Sequence, residues 1–434
     1  MILTEQELIL LRFIFSYFGN NRCMNIYNYF NKLKNAMLIS LGITSIIFAF
    51  KAFFDFLAFK TSNEIISFKN LSSCLAFFAP LAISFFTTFY LINGRKTFKA
   101  LFTLFCAFVF YSVFTQSKSY FFAVLISLLA YYCYKNLNFV TASLLLLSST
   151  LIFAVLSTYL YDVYNNLIMG ICAFVSNKGN ISSAMFGFVN TLLSALDFSS
   201  FENMFYYKSF GSTQVINNNS IVSGAINIFK NNINSQAVIT YLSGHSYLIF
   251  LIIGVFSSLI KELKGIEKAV LCIIVASSIL CGNVTIFMFF ILLESPYLFL
   301  SLCVISSLGY FCASIVKISV GFSFGGGIIE IFINADKYVY LITLGIVFTA
   351  IGYFVTKYFY EKYGISSLLN IYIPKNLKNT VSALGVQNII RFSDTSIEVR
   401  NPKLVDEISL DCEIKENIIK IEKDIVDNLK EYFE

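Results

Sequence analysis

The chain carries few side chains able to do chemistry in water. It has one histidine, His245, and ten cysteines without a CxxC pair. One imidazole and scattered thiols do not assemble a zinc site. Cys74, Cys106, Cys272, Cys303 and Cys312 lie inside apolar runs and read as buried packing groups. No metal and no cofactor is expected. Gly325–Gly327 has the small residues of a phosphate cradle but lacks the Lys-Ser/Thr of a P-loop, so close packing or a sharp turn is the competing reading. Lys51 and Asp55 stand four apart on one helix face, where an ion pair or a snorkelling lysine is expected. His245 is expected to be an interfacial or core imidazole.

Such groups must be positioned by a membrane frame. Of 434 residues, 57% are hydrophobic and 13% charged, about half the charge of a soluble domain, and mean hydropathy is +0.74. That balance excludes a soluble cytosolic enzyme, a disordered chain and a disulfide scaffold. It points to a polytopic membrane protein. Phe, Tyr, Asn, Ile and Lys share AT-rich codons, so the 49 Phe and 26 Tyr are read as genomic drift. Net charge is +6; residues from Ile371 onward hold nine Lys/Arg and twelve Asp/Glu, so the rest is strongly basic. A basic membrane part fits cytoplasmic loops facing anionic lipid. No basic, aromatic-interleaved patch appears, so nucleic acid is not an expected partner.

Residues 4–18 read as an amphipathic helix within a cytoplasmic N-terminal segment, 1–35, and not as a cleavable signal. Apolar runs follow at 36–59, 71–93, 98–115, 120–134 and 140–161. Arg95, Lys96 and Lys99 place the second loop, and with it the N-terminus, in the cytoplasm. From 162 to 240 the pattern breaks into stretches too short to span, 167–175 and 185–196, separated by polar segments. These read either as re-entrant hairpins or as an extramembrane loop. Further spans are expected at 241–260, at 269–293 with an interruption at Cys281–Asn283, at 297–316, and at 338–359 after a short helix following Ser323–Gly327. A linker, 366–375, leads to a small soluble unit, 376–434. Its expected elements are helices 376–385, 403–410 and 423–433 and strands near 388–392, 395–400 and 417–422.

With these elements in order, specific stretches are similar to a known family. FGGGIIEIFINADKYVYLITLGIVFTAIGYFVTKYFYEKYGI (324–365) resembles the last segment of the membrane C component of the sugar phosphotransferase system, glucose/glucoside superfamily. Gly327, Ile329 and Glu330 fall on its Gly, Ile and Asp. LAFFAPLAISFF (75–86) resembles an earlier segment of it. In the tail, NTVSALGVQNI, NPKLVDE and IIKIEKDIVDNLKEYF resemble the attached B domain. The resemblance implies an α-helical membrane domain (36–365) of about ten spans with re-entrant hairpins, followed by a small cytoplasmic α/β domain. It also implies a homodimer in the cytoplasmic membrane, a sugar held between the hairpins, a partner A component, and a phosphocysteine that phosphorylates the arriving sugar.

The family's site residues are replaced here. Its histidine pair falls on Ser199 and Ser200 of GFVNTLLSALDFSS (187–200). Its sugar-binding glutamates fall on Thr285 and Met288 of GNVTIFMFFILLESP (282–296). Its phosphocysteine region reads FSDTSIEV (392–399), with Asp394 or Thr395 near the nucleophile position and Cys412 the tail's only thiol. By family position the solute site is Ser199, Ser200, Thr285, Met288, Gly327 and Glu330. Glu202 and Glu294 are further candidates to replace the missing carboxylate. Three functions stay open: a permease of the phosphotransferase system with reassigned or degenerate chemistry, a transporter that does not phosphorylate, and a non-transporting sensor or partner subunit.

Overall fold

The computed structural model describes residues 20–363 apart from 61–65, 93–96, 115–118, 177, 197, 217–219, 232–235, 262, 264 and 323–324. Beyond them it describes Leu384, 389–393, 396–399, 413–415, 418–420 and Val426. The expected helix at 4–18 lies outside the described residues. The chain divides into two compact units, Leu33–Lys357 and the two ends, Met1–Lys32 with Tyr358–Glu434.

The helices of the first unit, with those that run past its limits, are α1 (Asn20–Lys60), α2 (Ile66–Leu91), α3 (Thr97–Val113), α4 (Tyr120–Asn136), α5 (Phe139–Val175), α6 (Asn180–Ser194) and α7 (Ser200–Tyr206). A two-stranded antiparallel hairpin follows, β1 (Thr213–Ile216) with β2 (Ser220–Ser223). Then come α8 (Ala225–Lys230), α9 (Gln236–Tyr241), α10 (Gly244–Leu259), α11 (Gly265–Cys281), α12 (Val284–Glu294), α13 (Pro296–Val316), α14 (Ile328–Asn334) and α15 (Tyr338–Tyr363). Among the described residues, six segments are long and apolar enough to cross a membrane: Ala36–Ala58, Phe68–Leu91, Phe139–Val175, Gln236–Leu259, Pro296–Val316 and Tyr338–Tyr360. The protein is a multi-pass helical membrane protein.

Two expectations need correcting. Residues 167–175 are not a separate half-span: α5 is one helix of 37 residues, about 55 Å long at 1.5 Å per residue. Asp162 and Asn166 point outward, no Pro interrupts the run, and the one glycine after them, Gly170, is carried within the helix, so nothing stops it. Likewise the polar segment Asn217–Ser220 is not flanked by free chain. The stretches on either side of 217–219, rich in β-branched residues, pair as β1 and β2, and 217–219 themselves lie outside the described residues.

Polar side chains inside the helices satisfy themselves on the preceding turn. Ser40, Thr44 and Ser45 each donate to a carbonyl three or four residues back, and Ser277 donates to Ser45 O at 3.1 Å, tying α11 to α1. The expected Lys51–Asp55 pair forms at 2.7 Å, with Ser72 donating to the same carboxylate. α10 and α15 cross at small residues: a side chain on Gly254 would meet the Thr349 carbonyl at 2.0 Å, and one on Gly345 the Phe250 ring at 2.8 Å.

The tightest seam joins α6 to α13. Ser183 donates to Tyr310 O at 2.6 Å, Ser307 to Ala184 O at 2.8 Å and Ser314 to Asn180 Oδ1 at 2.7 Å, while Thr191 and Ser306 share a bond of 2.7 Å. Residues 180, 183, 187 and 191 form one helical stripe, and its small members let the backbones approach. α13 starts sharply: Ser295 caps the Leu298 N–H at 3.4 Å and Pro296 takes the first turn, where its missing donor costs nothing.

In the second unit four short strands form an antiparallel sheet, β3 (Ile389–Phe392), β4 (Ser396–Val399), β5 (Glu413–Lys415) and β6 (Ile418–Lys420), in the order β3-β4-β6-β5. Ile397, Val399 and Ile419 are buried while Glu398, Ile418 and Lys420 face out, the period of a one-sided sheet. The strand expected near 417–422 forms as β6, and β5 pairs with it as a further strand that was not expected. Leu384 and Val426 are helical and buried; the rest of the expected tail helices lies outside the described residues.

The seam gives a direct stability test. A methyl on Gly187 would stand 2.5 Å from the fully buried Tyr310 ring, whereas one on Gly170 of α5 meets nothing within 4 Å. Gly187→Ala is expected to lower stability by about 1–3 kcal/mol, the cost of overpacking. Gly170→Ala is expected to be neutral or stabilising, since alanine is the better helix former. Thermal unfolding of the two purified variants in detergent checks both.

Candidate functional site

The site is built from three interruptions of helical backbone. The first is the α6–α7 hairpin. Gly179, at φ +60°, turns the chain from α5 into α6, and residues 195–199 turn it again into α7. The tip of that hairpin is clamped. Ser119 donates to Leu196 O at 2.9 Å, and the Tyr120 hydroxyl donates to Ala195 O at 2.9 Å while lying 3.4 Å from Thr285 O. Tyr120 thus joins the hairpin to the start of α12.

The second interruption is Gly282, at φ +73°, between α11 and α12. The third is the non-helical backbone at 318–322 and 325–327, held by Val320 N–H on Ser243 Oγ at 2.9 Å and by Asn334 on Gly321 O at 3.1 Å. These two pack backbone on backbone. A side chain on Gly282 would meet Gly325 O at 1.9 Å, and one on Gly327 would meet Leu280 O at 2.0 Å. The triple glycine is a packing device, as its competing reading held, and Gly326 is at φ +74°.

Aromatic rings fill the space behind the hairpin. Phe186 of α6 stands 5.0–6.0 Å, centroid to centroid, from Phe201, Phe205, Tyr206, Tyr241 and Tyr310. Tyr310 is wedged between Gly187 and Gly244, both of which a methyl would make too tight. Phe322 lies 5.6 Å from Tyr206 and 5.2 Å from His245. His245 is buried at the start of α10, beside the Gly282 carbonyl and against Gly326.

The residues singled out by family position are spread along this frame. Ser199 is exposed in the α6–α7 turn and Ser200, half-buried, begins α7 beside Tyr164. Thr285 is half-buried in the first turn of α12, and Met288 is fully buried within it. Gly327 caps α14, and buried Glu330 accepts the Gly326 N–H at 3.1 Å, which gives its carboxylate a loop-bracing task. Glu294 is buried at the far end of α12, about 14 Å along the axis from Thr285. Glu202 is half-buried in the first turn of α7, next to Tyr206 and Tyr207. Asp394, Thr395 and Cys412 lie outside the described residues.

Sequence reasoning did not find Tyr120, Tyr206 or Tyr310. Each is one of 26 tyrosines, and nothing in local spacing marks them. Among the described residues, no three His, Cys, Asp or Glu side chains gather as a metal site would require. A groove of about 590 Å³ lies away from this centre, along the exposed apolar face of α5 at Val163, Leu167, Gly170 and Phe174.

No protein-family model matches the chain, and no curated protein matches it.

Glu202 gives the electrostatics a handle. Removal from water pushes its carboxyl up to about 7, and the neighbouring Tyr206 hydroxyl pulls partly the other way. A carboxyl raised in the folded state stays protonated there while the unfolded chain, with its ordinary value of 4.5, releases the proton. Its contribution to stability is full below pH 4.5 and falls as pH rises towards 7. Infrared difference spectra are expected to show a protonated carboxyl titrating near pH 7, absent in Glu202→Gln. The same variant should flatten the fall in thermal stability across that range.

Proposed function

We propose that the protein is a multi-pass solute transporter of the sugar-permease type, which takes a neutral, sugar-like molecule and does not phosphorylate it. One observation carries this reading: non-helical backbone at Ala195, at Gly282 and at 318–322 with 326–327 is largely buried among apolar helices. Ala195, Gly282, Val320, Gly321, Phe322 and Gly327 are all buried. Irregular backbone at membrane depth is tolerated only when protein surrounds it or a cavity runs past it. In transporters such broken helices build the solute site near the midplane.

The substitutions argue against group transfer. A serine at 199 or 200 hydrogen-bonds a hydroxyl but does not titrate near neutrality. Thr285 and Met288 offer no carboxylate to a sugar. The stretch 392–399 offers no thiol. What persists is the frame; what is missing is the set of groups that carries a phosphoryl. The homodimer, the cytoplasmic membrane, the inward-facing termini and a cytoplasmic α/β tail domain belong to the same proposal. The basic loops around residues 94–99 and 261–268 support the orientation.

A second reading, a non-transporting sensor or partner subunit, is favoured by the aromatic filling behind the hairpin, since an inert subunit tolerates a plugged centre.

Proteoliposomes separate these. With the purified chain reconstituted, counterflow of labelled neutral sugars is expected without phosphoenolpyruvate. Adding phosphoenolpyruvate, the general phosphotransfer proteins and an A component is expected to leave the chain unlabelled. Phosphoryl label on Asp394, Thr395 or Cys412 would restore group translocation. Absence of counterflow for every sugar would favour the sensor.

A further inference from the structure

Among the buried polar atoms without a close hydrogen-bond partner, three lie near one another: the hydroxyls of Tyr206 and Tyr310, which interact only loosely with each other and with Glu202 and Asn190, and Nε2 of His245. All three residues are more than nine-tenths buried, with 3%, 0% and 6% of their surface exposed. A buried polar atom left unpaired destabilises the fold, and phenylalanine would fill either tyrosine position without that cost. The three are neighbours. Tyr206 lies beside Tyr310 and Glu202, and Tyr206 and His245 both pack on Phe322. Tyr310 rests on Gly244, the residue before His245. They come from three different elements, α7, α10 and α13.

We propose that Tyr206 and His245, which pack on Phe322, and Tyr310 beside Tyr206 are the solute-contacting groups of this protein, and that the solute is an uncharged polyhydroxylated molecule. The assignment rests on the transporter reading above and moves the contacts away from Ser199, Ser200, Thr285 and Met288. Each phenol both donates and accepts. A ring proton directed at the Gly282 carbonyl leaves Nε2 of His245 as an acceptor. This mixed set matches hydroxyls, which also donate and accept. It does not match a phosphate or a carboxylate. Among the described residues no lysine or arginine is buried, and the nearest acidic groups, Glu202 and Glu330, disfavour an anion.

The test uses the full chain in nanodiscs and follows thermal unfolding with millimolar glucose, maltose or myo-inositol, and with glucose 6-phosphate as the anionic control. At least one neutral compound is expected to raise the wild-type midpoint, and glucose 6-phosphate is not. In the Tyr206→Phe/Tyr310→Phe variant the ligand-free midpoint is expected to equal or exceed that of wild type, because two unpaired hydroxyls are gone. The concentration needed for a given ligand shift is expected to rise at least about tenfold, the loss of roughly 1.4 kcal/mol. The single Tyr206→Phe variant should show a smaller change of the same kind. A wild-type response that the double variant keeps would overturn the assignment and leave the transporter reading standing. A ligand-free midpoint that falls would show the hydroxyls to be structural, and would also overturn it. A response to glucose 6-phosphate alone would overturn the solute class. No wild-type response to any neutral compound would remove the transporter reading and this inference together.

Discussion

The structure depends on the close contact of α6 with α13. At 15 residues α6 is too short to anchor itself across a bilayer, so it must be held by its neighbours. Here that hold is a stripe of small and hydroxylated residues at 180, 183, 187 and 191, facing Ser306, Ser307, Tyr310 and Ser314. Within an apolar bundle there is little hydrophobic gain in bringing helices together, so close packing and interhelical hydrogen bonds must do it. The Tyr310 ring is the keystone, since Gly187 and Gly244 are both shaped around it.

The rest of the centre follows from that contact. With α6 fixed, its turn at 195–199 reaches Ser119 and Tyr120, and Tyr120 carries the link on to α12. The break between α11 and α12 is in turn locked to the 325–327 loop by glycine backbones that admit no side chain. Irregular backbone at Gly282 and at 325–327 is therefore packed against protein. The same packing traps polar atoms that the protein itself leaves without a close partner. A frame selected for stability alone would have placed phenylalanine there, so the retained hydroxyls mark a compromise between packing and a task.

Much of this frame was legible in the sequence. Long apolar runs announced the spans, Gly282 announced the break, and Pro296 and the triple glycine announced a helix start and a turn. These are local signals with local causes. The continuation of α5 through Asp162 and Asn166 was not legible, because whether a polar residue ends a span depends on which way it faces. The β1–β2 pair was hidden because its strands are only four residues each. The site was the least legible part. Tyr120 acts through partners 75 and 165 positions away, and the environment of Tyr206, Tyr310 and His245 exists only once α7, α10 and α13 are packed. The family positions, read by alignment, mark the frame at Ser199, Thr285 and Glu330, but not the unpaired groups.

The most direct measurement is a high-resolution density map of the full chain in a lipid nanodisc with its solute present. The predicted result is ordered non-protein density within hydrogen-bonding distance of the Tyr206 and Tyr310 hydroxyls and of His245 Nε2, with the α6–α7 hairpin enclosed by protein. Density showing those three atoms bonded to protein groups, or the hairpin lying outside the bundle against the headgroups, would contradict the central claim.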